Sequence, residues 1–224
     1  MIKYNLTRSR RKTIAIYIRD GKVEVRAPLQ ASKVDIDMFI LSKEAWIHTN
    51  LAKQTAQASK REGFVVDYGS LLTWRGKVYP LTPQGGSKAG FDGTSFYMPP
   101  GLRTDQIKAT CVKLYRRLAL IHFENRVSYY SKIMGVTPSA VKVNSAKTRW
   151  GSCSSKKSIN FSWRLALADD DVIDYVVVHE LAHLKEMNHS PRFWKLVEEI
   201  LPNRKDYRKR LKDVQKQLEQ EDWD

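Results

Sequence analysis

Residues 169–194 read DDDVIDYVVVHELAHLKEMNHSPRFW, and the fold turns on how this stretch is read. Tyr175-Val176-Val177-Val178 is a β-branched run that by itself suits a buried strand. His179-Glu180-Leu181-Ala182-His183 decides against that, because it has a coherent use only on a helix. There, residues i and i+4 share one face about a turn apart, so both imidazoles can reach one metal ion. Asp169-Asp170-Asp171 supports the same reading, since carboxylates at a helix start favour capping and the helix dipole. The valines then mark a helix buried in the core.

Catalytic zinc usually takes three protein ligands and leaves a fourth position for water, so a third donor is expected. His189 is the candidate. On a continuing helix it would lie about 15 Å along the axis from His179 and on another face, so the helix has to break first. Asn188, which tolerates a left-handed cap, and Ser190-Pro191, an N-cap and first-turn pair, supply the break and launch a second helix through Phe193, Trp194, Leu196, Val197 and Ile200. A carboxylate from that second helix, Glu198 or Glu199, is the competing third ligand. The spacing H-E-x-x-H-x5-H equals that of metzincins, yet Glu186 stands where their turn glycine belongs and no methionine follows Met187.

Upstream, Val141–Val143 reads as a strand. Residues 148–168 read as a hairpin turning around Ser154–Ser158, with a return strand Ile159–Leu167 that borders the cleft as a free edge. Arg149 and Arg164 on this hairpin are candidate forks for a substrate carboxylate or phosphate, against an ordinary structural ion pair. Cys153 has no histidine near it in sequence and reads as an ordinary thiol rather than a nucleophile.

Further toward the N-terminus, Thr104 caps a long helix to about Ile133, stopped by Gly135, with His122 structural within it. Residues 64–97 change character into short runs separated by Gly, Pro and Asp-Gly, a small antiparallel sheet whose glycine-rich residues 84–90 form a hairpin loop rather than a phosphate cradle. The chain opens with a hairpin, Thr13–Ile18 and Val23–Ala27 around Asp20-Gly21. A helix from Ser32 to about Arg61 follows, carrying Val34, Met38, Ile40, Leu41, Trp46 and Leu51, with His48 structural. The shift from strand-rich to helix-rich sequence sets a soft boundary near Gly101, giving an N-terminal region of residues 1–101 and a catalytic region of residues 102–224.

The 224 residues are enough to bury a real core without disulfides, and Cys111 and Cys153 are too few for a disulfide framework. With 39 Lys and Arg against 24 Asp and Glu, the formal charge is +15, a field that attracts polyanions without choosing among them. Residues 203–219 add an amphipathic helix with Tyr207, Leu211, Val214 and Leu218 on its apolar stripe, either docked on the core or offering a nucleic-acid contact surface. No stretch reaches the length of a membrane span and no secretory h-region is present, so a cytoplasmic protein without membrane contact is expected.

His179, Glu180, His183, His189 and Ser190-Pro191-Arg192-Phe193-Trp194 resemble the YgjP-like zinc metallohydrolases, relatives of the SprT and WLM metallopeptidases. The resemblance extends to Arg149-Trp150-Gly151-Ser152-Cys153-Ser154 and Trp163-Arg164-Leu165. It implies an α+β fold in which N-terminal β-hairpins and a long helix pack with a zincin-like catalytic core, the H-E-x-x-H helix against an antiparallel sheet. It also implies a Zn2+ site of three histidines with Glu180 as general base. A metallopeptidase acting on peptide or protein is the leading function. A UTP pyrophosphatase acting on a nucleoside triphosphate is the alternative, since some members of the family carry that label. A noncatalytic basic zinc-containing binding module comes third.

Overall fold

The computed structural model describes residues 2–223 of an α+β chain with three small sheets and six helices. It divides into two compact units, one running to Phe64 and including Glu219–Asp222, the other Val65–Leu218 with Trp223. Gly101, the expected soft boundary, lies inside the second unit.

In the first unit, β1 (Asn5–Ser9) pairs parallel to β3 (Lys22–Pro28), and β2 (Ala15–Arg19) pairs antiparallel on its other side. Asp20 and Gly21 join β2 to β3 at φ 49° and 68°, the left-handed pair that a two-residue hairpin turn requires and that Asp-Gly announces. Val23, Val25 and Ala27 alternate onto one face of β3 and pack with Ile36, Ile40 and Ile47. Those isoleucines lie on two helices rather than the single expected one: α1 (Lys33–Ser42) stops at Lys43, and α2 (Glu44–Glu62) restarts. Val34, Met38 and Leu41, expected on the apolar stripe, are exposed, while Ile36 is the residue that enters the core. Ser32 caps α1 as expected, its Oγ accepting from Asp35 N at 3.0 Å.

The second unit begins with β4 (Leu71–Trp74), β5 (Lys77–Pro83), β6 (Gly90–Phe91) and β7 (Phe96–Met98), ordered β4-β5-β7-β6. The expected antiparallel sheet is in fact mixed, because β5 and β7 run parallel. The glycine-rich loop is accordingly not a hairpin tip: it joins β5 to β6, which do not pair, and β7 sits between them. Next comes α3 (Thr104–Met134), capped by Arg103 rather than Thr104 and ended by Gly135 in the left-handed conformation, φ 61°.

Strands β8 (Ala140–Asn144), β9 (Gly151–Cys153) and β10 (Ser158–Ser162) form the third sheet in the order β8-β10-β9. The return strand is shorter than expected, because Trp163–Leu167 closes into a 3-10 turn. It is also not an edge. β10 is held by β8 on one side and β9 on the other, so the edges of this sheet are β8 and β9.

Below this sheet lies α4 (Asp170–Ala182), whose Val176, Val177 and Val178 are buried, so the β-branched run is helical because tertiary burial outweighs local propensity. The carboxylates at its start are tied down, Asp170 by Arg75, and Asp169 and Asp171 by Arg210. In its middle, Asp174 accepts two bonds from Arg126 of α3, at 2.6 and 2.7 Å, and one from Tyr130 at 3.0 Å. These bonds join the two longest buried faces of the unit and fix the rotation of α4. Helices α5 (Pro191–Ile200) and α6 (Arg204–Leu218) complete the chain, α6 burying Tyr207, Leu211 and Leu218 of its expected stripe. Among the described residues no helix is long and apolar enough to cross a membrane.

Candidate metal centre

α4 carries His179 and Glu180 in its last turn, and His183 is its C-cap. Beyond it the chain turns tightly, with Leu184 N bonded to Leu181 O and Glu186 N to Ala182 O, both at 3.0 Å. The expected left-handed cap at Asn188 is absent, since among the described non-glycine residues only Asp20, Arg75 and Lys157 have positive φ. The reversal comes instead from these turn bonds and from Ser190, whose amide reaches Asn188 O at 2.8 Å and whose Oγ caps α5 through Phe193 N at 3.2 Å. Pro191 takes the first position of α5, where its missing N–H is not needed.

The reversal brings His189 back over α4. One nitrogen from each of His179, His183 and His189 lies within 4.8 Å of the others, and the Nε2 atoms of His179 and His189 are 3.1 Å apart. Glu198, the rival donor, is engaged by Arg204 at 3.2 Å, and neither it nor Glu199 belongs to this group. His183 Nδ1 lies 3.2 Å from the Glu186 carbonyl, so in the tautomer that donates this bond Nε2 is the free lone pair. Burial, together with His183 and His189 alongside, pushes the His179 imidazole down to about 3, and burial also lowers His183. Both are therefore neutral near pH 7, the state a metal ligand needs.

Aromatic side chains hold the rings in place. Phe193, fully buried, lies with its centroid 4.9, 4.5 and 4.8 Å from those of His179, His183 and His189. Trp194 stacks on His189 at 5.4 Å, and the Arg204 guanidinium covers the Trp194 ring at 4.2 Å. On α4 itself, Tyr175 stands 6.2 Å from His179 and stacks on Tyr207 at 5.3 Å.

Glu180 is 5% exposed, and its Oε2 has no hydrogen-bond partner within the protein. Burial pushes its carboxyl up to about 7, opposed by the Arg149 guanidinium. A buried, unsatisfied carboxylate is expensive to keep, and such groups concentrate where a proton is exchanged. Gly151 explains how it fits. A Cβ at that position would fall 2.5 Å from Glu180 Oε1 and 2.7 Å from its Cγ. Gly151 does not have the positive φ that would call for glycine, so the residue type answers to this close approach alone. Sequence reasoning assigned Gly151 no such role, because nothing in local spacing places β9 against α4.

The remaining hairpin candidates separate. Arg164 is buried, donating to the Ser145 carbonyl at 2.9 Å with its guanidinium 4.7 Å from the Trp163 ring, so it is occupied inside the fold. Arg149 is exposed. Cys153 is half-buried, and burial and the nearby Glu180 charge raise its thiol, the opposite of what an activated nucleophile requires. A concavity of about 690 Å³ in the first unit, along Ile16, Trp46, Lys53 and Gln57, includes none of these residues.

Three convergent imidazoles suit a zinc-type ion, leave a coordination position open and stand beside a carboxylate that none of them needs as a co-ligand. The chain matches the family model of the YgjP-like metallopeptidase domain over residues 12–214. Among solved structures it is similar to the metallopeptidase zymogen abylysin of Pyrococcus abyssi, at 24% identity and a TM-score of 0.35, over 43% of this chain and 90% of that one. It is also similar to the metallopeptidase zymogen jannalysin of Methanocaldococcus jannaschii, at 21% identity and a TM-score of 0.36, over 42% of this chain and 95% of that one. No curated protein matches the chain.

Proposed function

The chain belongs to the YgjP-like metallopeptidase-domain family, and from that premise we propose that it is a zinc-dependent peptidase with His179, His183 and His189 as metal ligands and Glu180 as general base. Zinc, when bound, would supply a Lewis acid that eases deprotonation of water and polarises the scissile carbonyl. Glu180 would take the proton of the attacking water and deliver it to the leaving amine, a role worth about 10²- to 10⁴-fold in rate. Its elevated pKa suits both halves of that task. All of these groups fall within the proposed catalytic region, residues 102–224.

The observation that carries the reading is the unpartnered, buried Glu180 Oε2 next in sequence to a ligand of a three-imidazole cluster. The open edge of β9 supports a peptide over other substrates. Ser154 N bonds Ser158 O at 3.0 Å and Ser162 N bonds Trp150 O at 2.8 Å, so by antiparallel alternation Gly151 and Cys153 direct their backbone groups outward. An extended peptide pairing there would cross directly above Glu180.

The test compares wild type with Glu180→Gln, both zinc-loaded, on an internally quenched peptide library with UTP in parallel. Peptide cleavage by wild type alone is expected, with one zinc per chain in both proteins. Release of pyrophosphate from UTP without peptide cleavage would replace this reading with the nucleotide one. Tight nucleic-acid binding with neither activity would leave only a binding module.

A further inference from the structure

The first unit contains an edge strand with an unused row of backbone groups. β2 pairs with β3 on one side and with no strand on the other. Its two-residue turn closes on Arg19 and Lys22, which exchange backbone bonds, so by antiparallel alternation Tyr17 also faces β3 while Ile16 and Ile18 turn their N–H and C=O groups outward. Gln54 of α2 confirms the direction, its Nε2 donating to Ile18 O at 2.8 Å. The N–H of Ile18 and both backbone groups of Ile16 have no partner among the described residues. Exposed edges are ordinarily blunted by proline, a bulge or an inward-pointing charge, and Ala15-Ile16-Tyr17-Ile18 carries none of these.

Ile16 and Ile18 line the concavity of about 690 Å³ together with Trp46, Lys53 and Lys60 of α2. Trp46 is 49% exposed. Lys53 makes no ion pair among the described residues, and Lys60 meets only the neutral Gln220 amide, at 3.0 Å. The carboxylate of the lining, Glu219, is taken up by Gln57 at 2.9 Å. On the other face of β2, the guanidinium groups of Arg26 and Arg19 lie 4.9 and 5.5 Å from the Tyr17 ring centroid, and neither is in an ion pair among the described residues. Glu24, opposite Tyr17, brings one carboxylate to that face.

We propose that the β2 edge is a peptide-docking site of the first unit, sharing no residue with the metal centre, and that its occupant is an extended segment rich in Asp and Glu, added as a fourth strand. The open backbone groups select an extended chain, whose alternate side chains then point to the two faces of the sheet. Those beside Ile16 follow its side chain toward the helix layer, where Lys53 and Lys60 take carboxylates and Trp46 takes an apolar neighbour. Those beside Tyr17 meet Arg19 and Arg26. Unpaired cations on both faces make an acidic segment the complement on either, which sets the partner more than the area does. The site stands whether or not the metal centre is a peptidase.

The test titrates fluorescein-labelled Glu-rich octapeptides, and counterparts with Gln or Lys in place of Glu, into full-length Glu180→Gln protein, following anisotropy and, by NMR, the hydrogen exchange of backbone amides. The Glu peptide is expected to bind roughly tenfold more tightly than the Lys peptide at low salt, with the gap closing as ionic strength rises. It should slow exchange at Ile16 and Ile18, and one of the two alternating patterns of peptide N-methylation should abolish that protection. Lys53→Gln combined with Lys60→Gln should weaken binding roughly three- to tenfold with melting temperature unchanged. Equal binding of the Glu and Lys peptides, an affinity unaltered in the lysine variant, protection confined to Gly151–Cys153, or no binding would refute the site. Octathymidylate binding more tightly than the Glu peptide, with protection of the same amides, would replace the peptide by a nucleic acid. None of these readouts involves cleavage, so failure of the site leaves the peptidase reading to its own test.

Discussion

Replacing Gly151 by alanine adds one methyl group at the point where β9 touches Glu180, and the consequence can be worked from distances. The new Cβ would lie 2.5, 2.7 and 2.8 Å from Oε1, Cγ and Cδ of Glu180. Non-bonded carbons settle at about 3.5–4.0 Å, so the carboxylate has to withdraw by about 1 Å. β9 is anchored to β10 on both sides of Gly151, Ser162 N donating to Trp150 O at 2.8 Å and Ser154 N to Ser158 O at 3.0 Å, so the side chain moves rather than the strand. A misplacement of about 1 Å at a reacting group costs on the order of 10²-fold in rate, about 2.7 kcal/mol in the barrier. Stability should change little, because at an ordinary φ the loss of glycine's unfolded-state freedom favours the variant by about 0.4–1 kcal/mol and offsets the displaced side chain. The assay is kcat and KM on a cleaved peptide together with zinc content and melting temperature, with Ser152→Ala, on the other face of the strand, as control. A fall in kcat of about a hundredfold is expected, with zinc still at one per chain and the control unaffected. An alanine variant with undiminished kcat would refute the claim that this contact positions Glu180.

Three further outcomes follow from the same geometry. In metal-free protein, Glu180→Gln should be the more stable form above neutrality. A carboxyl raised from 4.5 to about 7 on folding contributes stability below pH 4.5 that is lost as pH rises through 7, about 3 kcal/mol by pH 8; denaturant melts at pH 4 and pH 8 that run parallel for both proteins would contradict this. Zinc at 100 times its dissociation constant should stabilise the wild type by about 2.7 kcal/mol, a shift in thermal melting that EDTA reverses and that His183→Ala abolishes. Arg126→Ala should destabilise by about 2–3 kcal/mol, less than the about 3–5 of a fully buried pair because Arg126 is 30% exposed; chemical denaturation measures it, and a change below about 0.5 kcal/mol would mean that the Asp174 pair does not secure α4.

What could be read from sequence was what is encoded locally. Histidines four apart reach one side of a helix whatever surrounds it, Ser190-Pro191 starts α5 by its own chemistry, and Asp20-Gly21 makes its turn without tertiary help. His189 was legible for the same reason, because a break signal lay between it and the helix, although the left-handed Asn188 expected to make the break was not the device used. Strand order was not legible. β8, β9 and β10 are adjacent in sequence, and nothing in their residues says that β10 takes the middle by pairing parallel to β8, which puts residues 159–162 inside the sheet and Gly151–Cys153 at an edge. The separation of Arg149 from Arg164 was hidden likewise, since both are arginines on one hairpin and only the 3-10 turn at Trp163–Leu167 draws the second into the interior.

The same division separates metal binding from the groups that would act on substrate. The three histidines come from eleven consecutive residues and one reversal, so a short segment is enough to bring them together. Glu180 belongs to that segment, but its environment does not. Its burial comes from β9, its opposing charge from Arg149, and the orientation of its helix from Arg126 and Tyr130 on α3. Replacing one of the three histidines should therefore act on metal affinity, while a substitution in β9 or α3 should act on the Glu180 carboxyl with the metal retained. That separation, read as zinc content against turnover across His183→Ala, Gly151→Ala and Arg126→Ala, distinguishes a site assembled by the whole second unit from one carried by its metal-binding segment alone.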